Sequence, residues 1–328
     1  MQQRRETFDV ISDRLTALAD EQIIGLLDEA EPVASGVGGA AWRIRLDGVA
    51  VFVKQLALTD LEDLPDHHRD TANLFNLPLA CQYRLGSPGF GSWREVAVHE
   101  LTTDWVLTGA YSGFPLTYHR RRLPIHVHDD HRGNDEILQW IDTPQIRDRL
   151  TAVKAARHGI VVFTEHIPET VSSWLGALDG EDLTAAYLKL ERELKGLATF
   201  MIGKGLIHFD VHFDNLLTDG VNVYLADYGL AQSADFDLSD EERFFHETRR
   251  DYDRHGGLTV LLNTIIARHC KGDVKENVRR AASGNLPPGL PTGEADVVAR
   301  NAAVADAINT YHRIAQAGDF TTPYPIPH

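Results

Sequence analysis

Residues 208–215 read His208-Phe209-Asp210-Val211-His212-Phe213-Asp214-Asn215, and twelve residues after Asn215 comes Asp227-Tyr228-Gly229. An acid, an amide five residues on and a second acid in an Asp-aromatic-Gly turn are the set that moves a phosphoryl group from a magnesium nucleotide. Asp210 is the candidate for the group that takes the acceptor's proton or orients its hydroxyl. A carboxylate of ordinary basicity accepts that proton late, which suits a loose transition state. Asn215 and Asp227 offer hard oxygens to magnesium. His208 is expected to brace the loop from beneath and Asp214 to be exposed. His212 has two open roles, phosphate contact or contact with the Asp210 carboxylate.

These loops need a frame. In the N-terminal half Trp42, Ile44 and Leu46 alternate with Arg43 and Arg45, Asp47-Gly48 supplies a tight turn, and Val49, Val51 and Val53 resume the alternation. That is a β-hairpin, and Gly36-Val37-Gly38-Gly39 stands at its entrance. Ile160-Val161-Val162-Phe163 reads as a buried strand. From Leu183 the period becomes helical through Tyr187, Leu190, Leu194, Leu197 and Met201 until Gly203 and Gly205 stop it. Segments 258–269 and 294–317 are helical by the same test. Strands first and helices later predict an α+β protein with a β-rich N-lobe over 1–168, a helical C-lobe over 169–328 and an insertion near 55–92.

The pattern H-x-D-x-H-x-x-N followed by D-Y-G resembles the catalytic and metal-binding loops of the kinase-like superfamily, in its aminoglycoside and choline phosphotransferase branch. His212 stands where protein kinases carry Lys. The resemblance covers roughly residues 33 to 270 and implies a protein-kinase-like two-lobed fold, with ATP and Mg2+ as cofactors. It makes Lys54, at the end of Val51-Phe52-Val53-Lys54, the grip on the nucleotide phosphates. Gly36, Gly38 and Gly39 become the phosphate loop, with Ala41 at the third glycine position. Glu95 is preferred to Glu100 as the partner of Lys54. Glu165 to Ile167 becomes the hinge whose backbone meets the base, and His212 a contact to the nucleotide. Asp251, with Asp253 as its rival, resembles the buried acid beneath the catalytic loop. Phe52, in place of a small residue, leaves the base preference open.

A formal charge of −16 argues against a nucleic-acid groove and favours a cationic acceptor. Two cysteines and the absence of an apolar run of membrane length lead us to expect a cytoplasmic chain with no membrane partner. His126-Val127-His128-Asp129-Asp130-His131 invites a zinc reading but is framed as a solvated loop, as is Asp66-His67-His68-Arg69-Asp70. The expected activity is transfer of the γ-phosphate of a nucleotide to a hydroxyl of a small molecule, such as an aminoglycoside-like or other cationic metabolite. The alternative is a Ser/Thr kinase acting on a peptide or protein, and a third reading is a pseudokinase scaffold. No A-P-E motif follows Gly229, and Asp237-Leu238-Ser239-Asp240-Glu241 reads as a helix start.

Overall fold

The computed structural model describes the chain except residues 37–38, 84–86, 126–130, 320–321 and 326–328; the side chains of 34–36, 39, 131–134 and 136 also fall outside the described set. The chain forms a mixed α+β structure of two compact units, Met1–Ile167 with Ala226–Asp240, and Pro168–Leu225 with Glu241–His328. The sequence boundary near Pro168 assigned everything after it to the helical part. Ala226–Asp240, which carries the Asp227 turn, instead groups with the sheet, because Lys54 and Thr71 hold its backbone and side chains there.

The first unit is built on a five-stranded antiparallel sheet of order β1 (Glu31–Gly36), β2 (Gly39–Leu46), β3 (Val49–Leu58), β5 (His158–Glu165), β4 (Thr117–Pro124). Asp47 (φ 49°) and Gly48 (φ 84°) are both left-handed, the conformation a two-residue hairpin requires between twisted strands. Lys54 does not end its strand. β3 continues through Gln55 to Leu58, since Leu56 and Leu58, on the face opposite Val51 and Val53, are buried with Trp93, Val96, Ile160 and Val162. Residues two apart share a face, so Lys54 lies on the face of Leu56 and Leu58, to which α3 (Ser92–Leu107) contributes Trp93 and Val96.

Helix α1 (Gln2–Ala17) buries Ile11 and Leu15 and is followed by α2 (Asp20–Asp28). Ser12 of α1 donates to the Tyr118 carbonyl on β4 at 2.8 Å, which covers that edge of the sheet. The stretch just after the histidine cluster lies in α4 (His131–Trp140), where Ile137 and the following Ile141 are both buried four residues apart. Helix α5 (Pro144–Lys154) follows, capped by the Thr143 hydroxyl on the Ile146 amide. Residues 126–130 of the histidine cluster lie outside the described residues.

In the second unit come α6 (Val171–Gly176), α7 (Gly180–Gly203), α8 (Asp240–Glu247), α9 (Tyr252–His269), α10 (Val274–Ala282) and α11 (Thr292–Gln316). The apolar line from Leu183 to Met201 is the buried face of α7, and Gly205 (φ 66°) turns the chain after it. Three short antiparallel strands, Glu169–Thr170, Leu216–Thr218 and Val223–Leu225, flank the 208–215 loop. Among the described residues no helix is long and apolar enough to cross a membrane.

Candidate active site

In the first unit Lys54 Nζ lies 2.7 Å from Glu95 Oε1 and 2.8 Å from Asp227 Oδ1. β3 supplies the lysine, the first turn of α3 the glutamate, and the turn at Asp227, itself left-handed (φ 65°), the aspartate. Burial works against the charge of Lys54, but the two carboxylates outweigh it and hold the ammonium above its usual range. Glu95 is the loser in this three-charge cluster. Its burial, with Asp227 adding repulsion, raises its pKa against the pull of Lys54. Glu100, the rejected partner, instead pairs with Arg120 at 2.9 Å and with Arg69.

Beneath the cluster Tyr228 meets His99 edge to face, with centroids 4.8 Å apart. Burial and the charge of Lys54 hold the His99 pKa down at about 3, so its ring is a neutral spacer. Its Nδ1 is 3.0 Å from the Thr117 hydroxyl.

The glycine loop is described only at its ends. Gly36 and Gly39 pair across β1 and β2, whereas Gly38 lies outside the described residues. Ala41 is the cross-strand neighbour of Lys54, which puts Gly39 roughly 7 Å farther along the strand at ~3.3 Å per residue. At the expected hinge, the Glu165 amide donates to the Leu116 carbonyl at 2.7 Å, so that N–H is committed. The Glu165 carboxylate is held by Arg4 of α1 at 2.6 Å, and Arg4 also donates to the carbonyls of Ser112 and Phe114. Nothing in the sequence signalled Arg4, which is 161 positions from Glu165. Ile167, half-buried, is the last residue of this stretch of the unit.

In the second unit the 208–215 loop is organised from below by Asp253. Its carboxylate accepts the His208 amide at 2.6 Å and the Phe209 amide at 2.9 Å. The acid beneath the loop is therefore Asp253 and not Asp251, whose side chain is half-exposed beside Arg254. Asp251 precedes α9, whereas Asp253 lies in its first turn and is buried. Burial, partly offset by the two amide bonds, raises the Asp253 pKa to about 7. Phe209 is left-handed (φ 64°), a costly conformation for a bulky residue. Its ring packs on Tyr252 and Phe245, with centroids at 5.1 and 5.8 Å.

The Asn215 amide nitrogen donates to both the backbone carbonyl and Oδ2 of Asp210, each at 3.0 Å. Two acceptors on one side fix the amide orientation and leave Oδ1 as the atom to offer a cation. His212 Nδ1 accepts the Asp214 amide at 3.2 Å, so in the neutral ring the proton sits on Nε2, 3.5 Å from Asp210 Oδ2. Of its two open roles, this geometry has the carboxylate contact. His208 is fully buried with Nδ1 3.3 Å from the Asp210 amide, and Asp214 is exposed.

Each unit presents a hard oxygen of the kind magnesium takes: in the first the half-exposed Asp227 carboxylate, in the second the Asn215 amide oxygen. Among the described residues no three His, Cys, Asp or Glu side chains are grouped to hold a metal by themselves. Magnesium characteristically completes its shell with phosphate oxygens and water. The 66–70 cluster is largely solvated, as expected: Asp66, His68 and Arg69 are exposed, while His67 pairs with Asp70 at 2.6 Å and His68 lies edge-on to Trp93. Of the acidic residues after the Asp227 turn, Asp235, Asp237, Asp240 and Glu241 are exposed and Glu242 is buried. Compared with protein-family models and with curated proteins, the chain matches none.

Proposed function

We propose that this chain is a magnesium-dependent phosphotransferase of protein-kinase-like, two-lobed fold that moves the γ-phosphate of ATP to a hydroxyl of a small, cationic molecule. The observation that carries the reading is the Lys54 ammonium held between Glu95 and Asp227. An ammonium has three donors, and two are spent on these carboxylates. Asp227 and Asn215 would be the residues to hold magnesium, whose charge would offset that of the phosphates. Lys54 then keeps Glu95 as its brace and turns its other donors to phosphate oxygen. Asp210, oriented by Asn215 and His212, takes the acceptor proton late in the transfer. The surplus of carboxylates draws a cationic acceptor toward the protein.

The test is thermal shift and product formation with Mg-ATP against a panel of amine-bearing and sugar acceptors. Asp227→Ala is expected to abolish the magnesium-dependent stabilisation by nucleotide. Asp210→Asn should keep nucleotide affinity and slow transfer by about 10²- to 10⁴-fold. An unchanged magnesium-dependent shift in Asp227→Ala sinks the metal assignment. Phosphate found on Ser or Thr of a peptide, with no turnover across the panel, selects the peptide acceptor instead.

A further inference from the structure

Three side chains near the start of α3 and in the segment before it converge on the residues after Asp227. Gln82, 1% exposed, donates its amide to the Leu230 carbonyl. The Thr71 hydroxyl accepts the Asp237 amide at 2.9 Å, and the Thr71 carbonyl accepts Arg94 Nε at 2.6 Å. Arg94 is buried, and its guanidinium lies 5.2 Å from the Phe90 ring and 5.6 Å from the Phe236 ring. A planar guanidinium taken out of water is tolerable only with such donor and π contacts. The same helical turn carries Glu95, the brace of Lys54, so one turn of α3 is tied both to Asp227 through Lys54 and to the segment behind it through Arg94.

Segments that follow such a metal-binding turn are commonly ordered by an added phosphate that recruits arginine. Here arginine is already engaged by aromatic rings. From Ala226 to Asp240 the hydroxyl side chains are Tyr228, Ser233 and Ser239, and the first two are each 1% exposed.

We infer that Thr71, Gln82 and Arg94 are positioning residues for Asp227: they clamp Leu230–Asp237 and so hold the aspartate in its metal-binding geometry without any covalent modification. The inference rests on the reading of Asp227 as a magnesium ligand. Its test uses the full chain and the variants Gln82→Met, Thr71→Val and Arg94→Lys. Two quantities are read: hydrogen exchange over residues 228–237, and the magnesium concentration that half-saturates stabilisation by ATP. Gln82→Met and Thr71→Val each remove one hydrogen bond, and are expected to speed exchange by about 5–10-fold and to raise the magnesium requirement by a similar factor. Arg94→Lys keeps the charge and loses the flat face, and should do the same. Phosphatase treatment of the wild type should change neither reading.

Unchanged exchange in both single-bond variants overturns the clamp, as does loss of ordering after phosphatase. Faster exchange with an unchanged magnesium requirement overturns the positioning role and leaves only packing. If the wild type shows no magnesium response at all, the phosphotransferase reading fails. Exchange at Tyr228 and Gly229, which adjoin Asp227, then still decides whether the clamp holds that aspartate.

Discussion

Asp253→Asn should release the 208–215 loop while leaving most of the second unit folded. The carboxylate accepts two backbone amides, at 2.6 and 2.9 Å. Hydrogen bonds to a charged group contribute about 1.5–3 kcal/mol each, and a buried donor left without an acceptor costs about 1–3 kcal/mol. Asparagine has one side-chain oxygen, so it keeps one bond and turns an NH2 toward the other amide. Since the carboxyl, with a pKa raised to about 7, is only partly ionised at neutral pH, its bonds are weaker than those of a full carboxylate. A net loss of about 2–4 kcal/mol follows. Opening also releases Phe209 from its left-handed conformation, a strain of about 1–3 kcal/mol that now favours the open loop.

The assay is hydrogen exchange at the His208 and Phe209 amides. A loss of 2–4 kcal/mol corresponds to exchange faster by about 30- to 700-fold at a tenfold per 1.4 kcal/mol. A melting temperature is a poorer readout, because two compact units need not unfold in one transition. Asp251→Asn is the control: that side chain is about half-exposed, and the change should stay within about 0.5 kcal/mol. If protection at His208 and Phe209 changes less than about threefold in Asp253→Asn, the loop is held by Asn215 and His212, and the reasoning from the buried acid is wrong.

Two further outcomes are expected. Burial raises the Asp253 pKa from 3.8 to about 7, so the folded protein keeps a proton that the unfolded chain has lost across that window. Its contribution to stability therefore falls as pH rises from about 4 to 7, by up to ~4 kcal/mol, the reverse of a salt-bridged carboxylate. Urea midpoints at pH 5 and 7.5 should show this slope in the wild type and lose it in Asp253→Asn; equal slopes refute it. Glu95→Gln should destabilise the first unit by about 1–3 kcal/mol, less than for a fully stranded buried charge because Asp227 still faces Lys54. Glu100→Gln, a surface pair, should cost about 0–1 kcal/mol. Denaturant titration of the two variants discriminates them, and equal losses would count against the Lys54–Glu95 brace.

Local patterns made much of this frame legible. The hairpin at Asp47-Gly48 and the helix from Leu183 to Met201 carry their own periodicity and turn chemistry, and the structure has both. The 208–215 loop could be read as a constellation because all its members lie within eight residues. The end of β3 was misplaced because a lysine in an apolar run resembles a strand terminus. Only the buried Leu56 and Leu58 beyond it reveal that the run continues.

What could not be read is fixed by partners far away in the chain. Asp251 and Asp253 differ by two positions, one just before α9 and the other in its first turn. Choosing between them requires knowing which side of α9 faces the loop. The membership of Ala226–Asp240 is a harder case. Its buried Tyr228, Phe236 and Leu238 have no helical or strand period, and its ties to Thr71 and Lys54 span 166 and 173 positions. Neither tie leaves a trace in local pattern, since a threonine within an insertion and a lysine in a strand are ordinary residues in isolation. Asp-Tyr-Gly alone marks Asp227 as a candidate ligand, while the contacts that hold it in place belong to residues that carry no motif. For that reason the clamp by Thr71, Gln82 and Arg94 could be inferred only after the fold had brought them to the same segment.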